Sequence, residues 1–203
     1  MASNLEKGIR RYSIPGPRYH WTNRLRAKIM SSMRMVIGPP PGGAATGVTL
    51  AFLMEQQIKD QWCWAATAKS VSIFYNNGST WTQCLVAAAT LQQQCCQAPQ
   101  PCNKPWYLNE ALTKTGNFVR YDNPLSFSDL QNELSTGRPI GCRIGWADGK
   151  GHFVVIHGCR TDQGINYLRI DDPSAGKSET TENGFRTAYL GTGSWTHSFI
   201  TKP

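Results

Sequence analysis

Gln57-Ile58-Lys59-Asp60-Gln61-Trp62-Cys63-Trp64-Ala65-Ala66 places a cysteine where a helix begins, with a polar amide six residues upstream of it. From Trp64 onward the residues Trp64, Ala68, Val71 and Tyr75 recur at helical spacing, and Asn76-Asn77-Gly78 supplies a stop signal. A helix is therefore predicted from about residue 60 or 61 to 76. Cys63 falls in its first turn, where backbone N–H groups have no intrahelical partner and the dipole carries roughly +0.5 of a charge. A thiolate is favoured there, and a thiol of pKa ~8.5 can fall to ~3.5–7.5 beside a cationic imidazole. Gln57 is the candidate to hold an oxyanion together with the Cys63 N–H. The competing possibility is that Cys63 is a small buried hydrophobe between two packed tryptophans. Its partners elsewhere in the chain decide between the two.

The chain has 203 residues, enough for one well-cored domain or two small halves sharing a cleft. It has no run of 18 apolar residues, so no membrane span is expected. Charge is concentrated at the start. Met1 to Leu50 carries eight Lys or Arg against Glu6 alone, a net of +7 out of the chain's +8. Pro15-Gly16-Pro17 and Pro39-Pro40-Pro41-Gly42-Gly43 punctuate this segment. Residues 1–46 are accordingly expected to be a basic extension (leader, propeptide or delivery signal), with at most a short helix around 24–35. They contain no apolar core of 7–15 residues and do not have the form of a secretory signal peptide. Basic charge can attract nucleic acid, but it is confined to this tether, so nucleic acid is not the expected partner. Gly42-Gly43 is a conceivable point of self-cleavage.

Apart from Cys63 there are six cysteines, Cys84, Cys95, Cys96, Cys102, Cys142 and Cys159, an even number that suits up to three disulfides in an exported protein. Six allow 15 pairings. Cys142 and Cys159 are on opposite arms of a predicted hairpin and are expected to meet. The alternative for Cys84, Cys95, Cys96 and Cys102 is a zinc site, which lacks a C-x2-C pair and paired histidines.

In chain order, residues 48–54 are β-compatible, and further helices are predicted at 83–94, 106–115 and 128–136, the last closed by Gly137. After it the pattern changes to strands at 139–146 and 152–159, joined by the Ala147-Asp148-Gly149-Lys150-Gly151 turn, and at 167–170 and 195–201. No internal repeat is evident. Helices first and an antiparallel sheet second indicate an α+β domain over 47–203, with a cleft between its halves.

His152, after the glycine turn at a strand start, is the imidazole candidate. His157 has the opposite parity on that strand, and His20 and His197 have weaker claims. Asp172, at the end of the next strand, can accept from one ring nitrogen and fix the tautomer. Asp171 is its nearest competitor and alternates to the other side. The alternatives are that His152 is a structural histidine and that Asp172 only starts the turn before Pro173.

Gln57-x5-Cys63-Trp64-Ala65-Ala66, then Gly151-His152-Phe153-Val154-Val155-Ile156, then Ile170-Asp171-Asp172-Pro173, in that order, resembles the papain-like cysteine peptidases, nearest the bacterial branch with the avirulence effector proteases of plant pathogens. The likeness extends over about residues 48–203. It implies Cys63 as nucleophile, His152 as general base and then acid, Asp172 as orienter and Gln57 as oxyanion donor, without cofactor or metal. It also implies a protein or peptide substrate, an inhibitor, immunity protein or host activator as possible partners, and a protein secreted or delivered into a target cell. In papain itself a tryptophan closely follows the orienting residue and shields its bond to the histidine. Here Pro173-Ser174-Ala175-Gly176 follows. The other functions considered are a cell-wall peptide amidase, an acyltransferase or transglutaminase with the same chemistry, and a disulfide-stapled binding module in which Cys63 is inert.

Overall fold

The computed structural model describes residues 46–203. His20, the basic extension, its short helix and Gly42-Gly43 lie outside the described residues. β1 (Thr46–Thr49) leads into an extended run and then α1 (Cys63–Tyr75). The helix starts later than expected because Trp62 N–H donates to Lys59 O (3.0 Å), closing residues 59–62 into a turn. Cys63 thus becomes its first residue.

α2 (Gln83–Leu91) is capped by the Thr82 side chain, which accepts from Leu85 N, and it stops short of the predicted end where Gln92 turns left-handed at φ 54°. α3 (Leu108–Thr115) packs on α1 through Leu108, Ala111 and Leu112, none of them solvent-exposed. After β2 (Phe118–Asp122) comes α4 (Phe127–Ser135), where Ser126 accepts from Asp129 N. Gly137, with φ 79°, closes it as expected, in a conformation that suits glycine.

The remainder is sheet: β3 (Ile140–Gly145), β4 (Gly151–Asp162), β5 (Ile165–Asp172) and β6 (Gly176–Thr181), then α5 (Glu182–Ala188) and β7 (Ser194–Thr201). All pairings are antiparallel, in the order β2-β7-β3-β4-β5-β6. β4 outlasts β3, and β1 pairs with its far end, Val48 opposite Cys159. The last strand in chain order therefore sits inside the sheet, between β2 and β3.

Strand alternation sends the sheet's side chains into two cores. Phe153, Val155 and Phe199 face the helices, joining Phe52, Trp62, Trp64 and Val71. Val154, Ile156, Leu168, Ile170 and Ile144 face the other way, against Leu130 and Leu134 of α4 and Phe185 of α5. Each such side chain contributes about 1.5–3 kcal/mol when fully buried, so both faces hold the sheet firmly. The α+β architecture expected from the sequence is the one found.

The cysteine expectation needs correction. Cys84 pairs with Cys96 and Cys95 with Cys102, while Cys142 and Cys159 are unpaired. The register explains the failed pair: Cys142 lies opposite Val154, and Cys159 lies beyond the end of β3, opposite Leu168 and Val48. With its four sulfurs paired to one another, the proposed zinc site loses its thiolate ligands.

Candidate active site

Cys63 is held from both sides by its tryptophans. Trp62 and Trp64 are fully buried, and their indole N–H groups donate to Cys102 O (2.8 Å) and Lys104 O (3.1 Å). Cys102 is itself tied to Cys95, and Gln61 N–H donates to Asn103 Oδ1 (3.1 Å), so the disulfide loop fixes the turn that carries the thiol. Trp62, the N-cap, offers no side-chain bond to the helix, and the Cys63 N–H finds no acceptor among the described residues. That leaves a donor at the helix start beside the sulfur. Cys63 itself is 8% exposed, so the sulfur is packed but not sealed off as Cys142 is at 0%.

His152 projects from the second position of β4, and its Nε2 meets Asp172 Oδ1 at 2.8 Å. The other ring nitrogen, Nδ1, is not engaged by Asp172, and the Cys63 side chain is among the groups that raise the ring's pKa. Burial is the largest single influence on this ring and favours its neutral form. The bonds to Asp172 and Cys63 together overcome it, and the pKa rises to about 9. A ring so placed holds its proton more firmly than a free imidazole.

Asp172, 2% exposed, ends β5. Its Oδ1 also accepts from Ser174 N (2.7 Å) and Ala175 N (3.0 Å), and its Oδ2 from the Tyr189 hydroxyl (2.7 Å). Burial works against the carboxylate's charge, but the bonds from His152, Tyr189 and Ser174 outweigh it and hold the acid below its ordinary range. Tyr189, 6% exposed, packs on Phe185, which in turn packs on Trp195. The Pro173-Ser174-Ala175 turn and this tyrosine thus occupy the surroundings of the carboxylate where no tryptophan follows in sequence. Asp171 points to the opposite face, as alternation requires, and accepts from Met54 N (3.0 Å).

Gln57 N–H donates to Pro173 O (2.9 Å), joining the loop before Cys63 to the turn after Asp172. Its side-chain Nε2 donates to Lys59 O (3.1 Å) and Asp60 O (2.7 Å), which engages both amide hydrogens, and its Oε1 is buried without a partner. The other described histidines are elsewhere. His157 Nδ1 faces Leu50 O (3.3 Å) with its ring stacked on Phe52, and His197 lies against Tyr121.

Two residues that position the site were given no role in it from the sequence. Gln83, 1% exposed, accepts from Ile58 N (3.0 Å) and donates to Glu55 Oε1 (3.0 Å) and Gln56 O (2.8 Å), pinning the Gln57 segment. Its place at the start of α2 gave a local signal, whereas nothing local marked Tyr189. A cavity of about 290 Å³ is lined by Met54, Gln56 and the 171–176 turn. It touches Asp172 but neither Cys63 nor His152, so it is not where those groups meet.

A family model described as "Papain-like cysteine protease AvrRpt2" matches residues 46–189. Among solved structures, a C39-like peptidase from Bacillus anthracis matches with a TM-score of 0.50 at 15% identity, over 77% of this chain and 98% of that one. That likeness shows a shared fold. A structure titled for antibody cross reactivity between the mite allergens Blo t 1 and Der p 1 matches with a TM-score of 0.47 at 14% identity, over 76% of this chain and 67% of that one, too loosely to argue from. No curated protein sequence matches significantly.

Proposed function

The chain belongs to the AvrRpt2 family of papain-like cysteine proteases, and from that premise we propose that it hydrolyses peptide bonds in proteins through Cys63, His152 and Asp172. The observation that carries this reading is one imidazole placed between a buried carboxylate, at 2.8 Å, and a thiol at a helix start.

The Cys63 sulfur, having passed its proton to His152, attacks the carbonyl carbon. The oxyanion is met by the Cys63 N–H, and by Gln57 once its Nε2 exchanges the longer contact, to Lys59 O, for the substrate oxygen. His152 gives the proton to the departing amine, and the acyl group remains on sulfur as a thioester. Water then enters, loses a proton to His152 and releases the acid. Asp172 keeps the ring oriented throughout and stabilises its charged form.

The two disulfides support export to an oxidising compartment or delivery into another cell, consistent with an effector or toxin role. No described helix is long and apolar enough to cross a membrane. An inhibitor, immunity protein or host activator is the kind of partner such a protease would meet. The test is to incubate the full chain and Cys63→Ala with a protein library and, in parallel, purified peptidoglycan. Cleavage of protein by the wild type, falling on the order of 10⁶-fold in the variant with its thermal unfolding unchanged, is the expected result. Persistent cleavage by Cys63→Ala would end the proposal, and release of cell-wall peptide alone would move the activity to the amidase class.

A further inference from the structure

Six arginines lie among the described residues, and five of them, Arg120, Arg138, Arg160, Arg169 and Arg186, have a carboxylate partner. Arg143, half-buried on β3, has none within 4.0 Å among the described residues. A guanidinium that gives up hydration without a counter-ion is a costly arrangement unless an anion joins it.

Its surroundings are set by an irregularity in β7. Arg143 pairs with His197 and Ile144 with Trp195, so Thr196 is one residue too many opposite β3. An extra residue of this kind interrupts the alternation of a strand and re-aims a side chain. Here it brings one hydroxyl to both the guanidinium and the imidazole. Arg143 Nη1 donates to Thr196 Oγ1 (3.1 Å), that hydroxyl donates to Arg143 O (3.1 Å), and His197 Nδ1 lies 3.0 Å from the same oxygen. Because the only hydroxyl hydrogen goes to Arg143 O, Nδ1 is the ring's N–H and donates to Thr196. Nε2 is then the bare nitrogen of the neutral ring.

The guanidinium is seated on two glycines. A Cβ on Gly145 would come within 2.8 Å of Nη1, and one on Gly151 within 2.9 Å of Nη2. Arg143 Nε and Nη2 have no acceptor among the described residues, and neither is sealed from solvent; the same is true of His197 Nε2. Nε and Nη2 are the two parallel donors of a fork that fits carboxylates and phosphates. Tyr121, 57% exposed, meets the His197 ring edge-on at 6.2 Å. By the β3–β4 register Arg143 shares the face of Phe153, which is not the one that carries the His152 side chain.

We propose that Arg143, Thr196 and His197 form a binding site for phosphate, either inorganic or as a monoester. The Arg143 fork takes two oxygens, and a third is needed to engage the histidine on the neighbouring strand. A carboxylate has no third oxygen, whereas a phosphate monoester does. One proton, brought by the ring or by the anion, lies between His197 Nε2 and that oxygen. The site uses none of Cys63, His152 and Asp172, and it stands independently of the protease reading.

The experiment is a titration of the isotope-labelled full chain with inorganic phosphate, O-phosphoserine and acetate at constant ionic strength, following Arg143 Nε–H and the His197 ring by NMR. Phosphate should move both sets of signals along one saturable curve, and acetate should bind at least about tenfold more weakly. Arg143→Lys keeps the charge without the fork and should weaken phosphate by about tenfold or more. His197→Gln should weaken it by roughly three- to tenfold. The backbone amide spectrum of each variant reports its fold, and the two substitutions test the site separately. Tighter binding of phosphoserine than of phosphate identifies a monoester as the ligand, and equal affinity identifies the inorganic anion. A wild type without saturable shifts, an unchanged affinity in Arg143→Lys, or acetate binding as well as phosphate would overturn the assignment.

Discussion

The helical half and the sheet half solve the problem of holding a reactive group still in different ways. On the helical side, α2 has nine residues and the run from Gln92 to Tyr107 has little regular structure beyond one short 3₁₀ turn at Gln100–Cys102. Two disulfides close loops of 12 and 7 residues there. On the sheet side the backbone ladder does the same work, and Cys142 and Cys159, 0% and 1% exposed, remain thiols packed as small hydrophobes. Covalent staples occur where hydrogen-bonded structure is thin, and the nucleophile candidate sits on the stapled side.

The largest effect expected separates two neighbouring acids of the sheet. Asp172→Asn should lower kcat by about 10²–10⁴-fold, as loss of an orienting carboxylate does in a related triad. Asp171→Ala should instead cost about 1–3 kcal/mol of stability by leaving Met54 N without its acceptor, with kcat little changed. Urea unfolding and steady-state kinetics on both variants check this, and the opposite pattern would make Asp171 the orienter.

Alkylation tests the contrast between thiols. Iodoacetamide at pH 6 should label Cys63 in the folded protein and leave Cys142 and Cys159, whose thiols burial pushes up, unmodified until denaturant is added. Peptide mapping reads the sites, and labelling of Cys142 as fast as Cys63 would erase the distinction.

Replacing a disulfide pair by serine should remove about 2–3 kcal/mol on the chain-entropy account of loops this short. A Cys159→Ala change should cost only about 1 kcal/mol. Denaturation midpoints measured side by side would show whether the helical half depends on its staples as argued. Equal losses at both places would say that it does not.

The smallest effect belongs to Tyr189→Phe, which removes one hydrogen bond to Asp172 and should lower kcat/KM by less than about tenfold. It should also push out the alkaline limb of the pH–rate profile. In the wild type His152 keeps its proton up to about pH 9, and a carboxylate relieved of one donor is more basic and would hold that proton longer. The sign for stability is the same. The folded imidazole binds its proton more tightly than a free one at 6.5, so its contribution is whole below about pH 6.5 and is lost as pH climbs through about 9. An unmoved limb would mean that Tyr189 only packs.

What could be read in advance followed local signals. The Cys63 helix, the helix closed by Gly137, and the β3–β4 turn all carry their own chemistry in sequence, and each was found within a few residues of its expected bounds. β2, β6 and α5 were not foreseen, for a common reason. Phe118–Asp122 and Gly176–Thr181 are largely exposed, and Glu182–Ala188 buries only Phe185, so none shows apolar periodicity and each depends on a neighbour already in place. The same limit applied to the site. Cys63, His152 and Asp172 stand in recognisable strings, whereas Tyr189 reaches Asp172 from an unforeseen helix end, and the Gln57 amide turned to its own loop, which no spacing could show.

The interior position of β7 bears on when activity can arise during synthesis. Until residues 194–201 leave the ribosome, β2 and β3 have no strand between them, and a nascent chain already carrying Cys63, His152 and Asp172 presents two open edges where a bonded ladder belongs. A chain cut short before that point would carry Cys63, His152 and Asp172 on a sheet that lacks one of its inner strands.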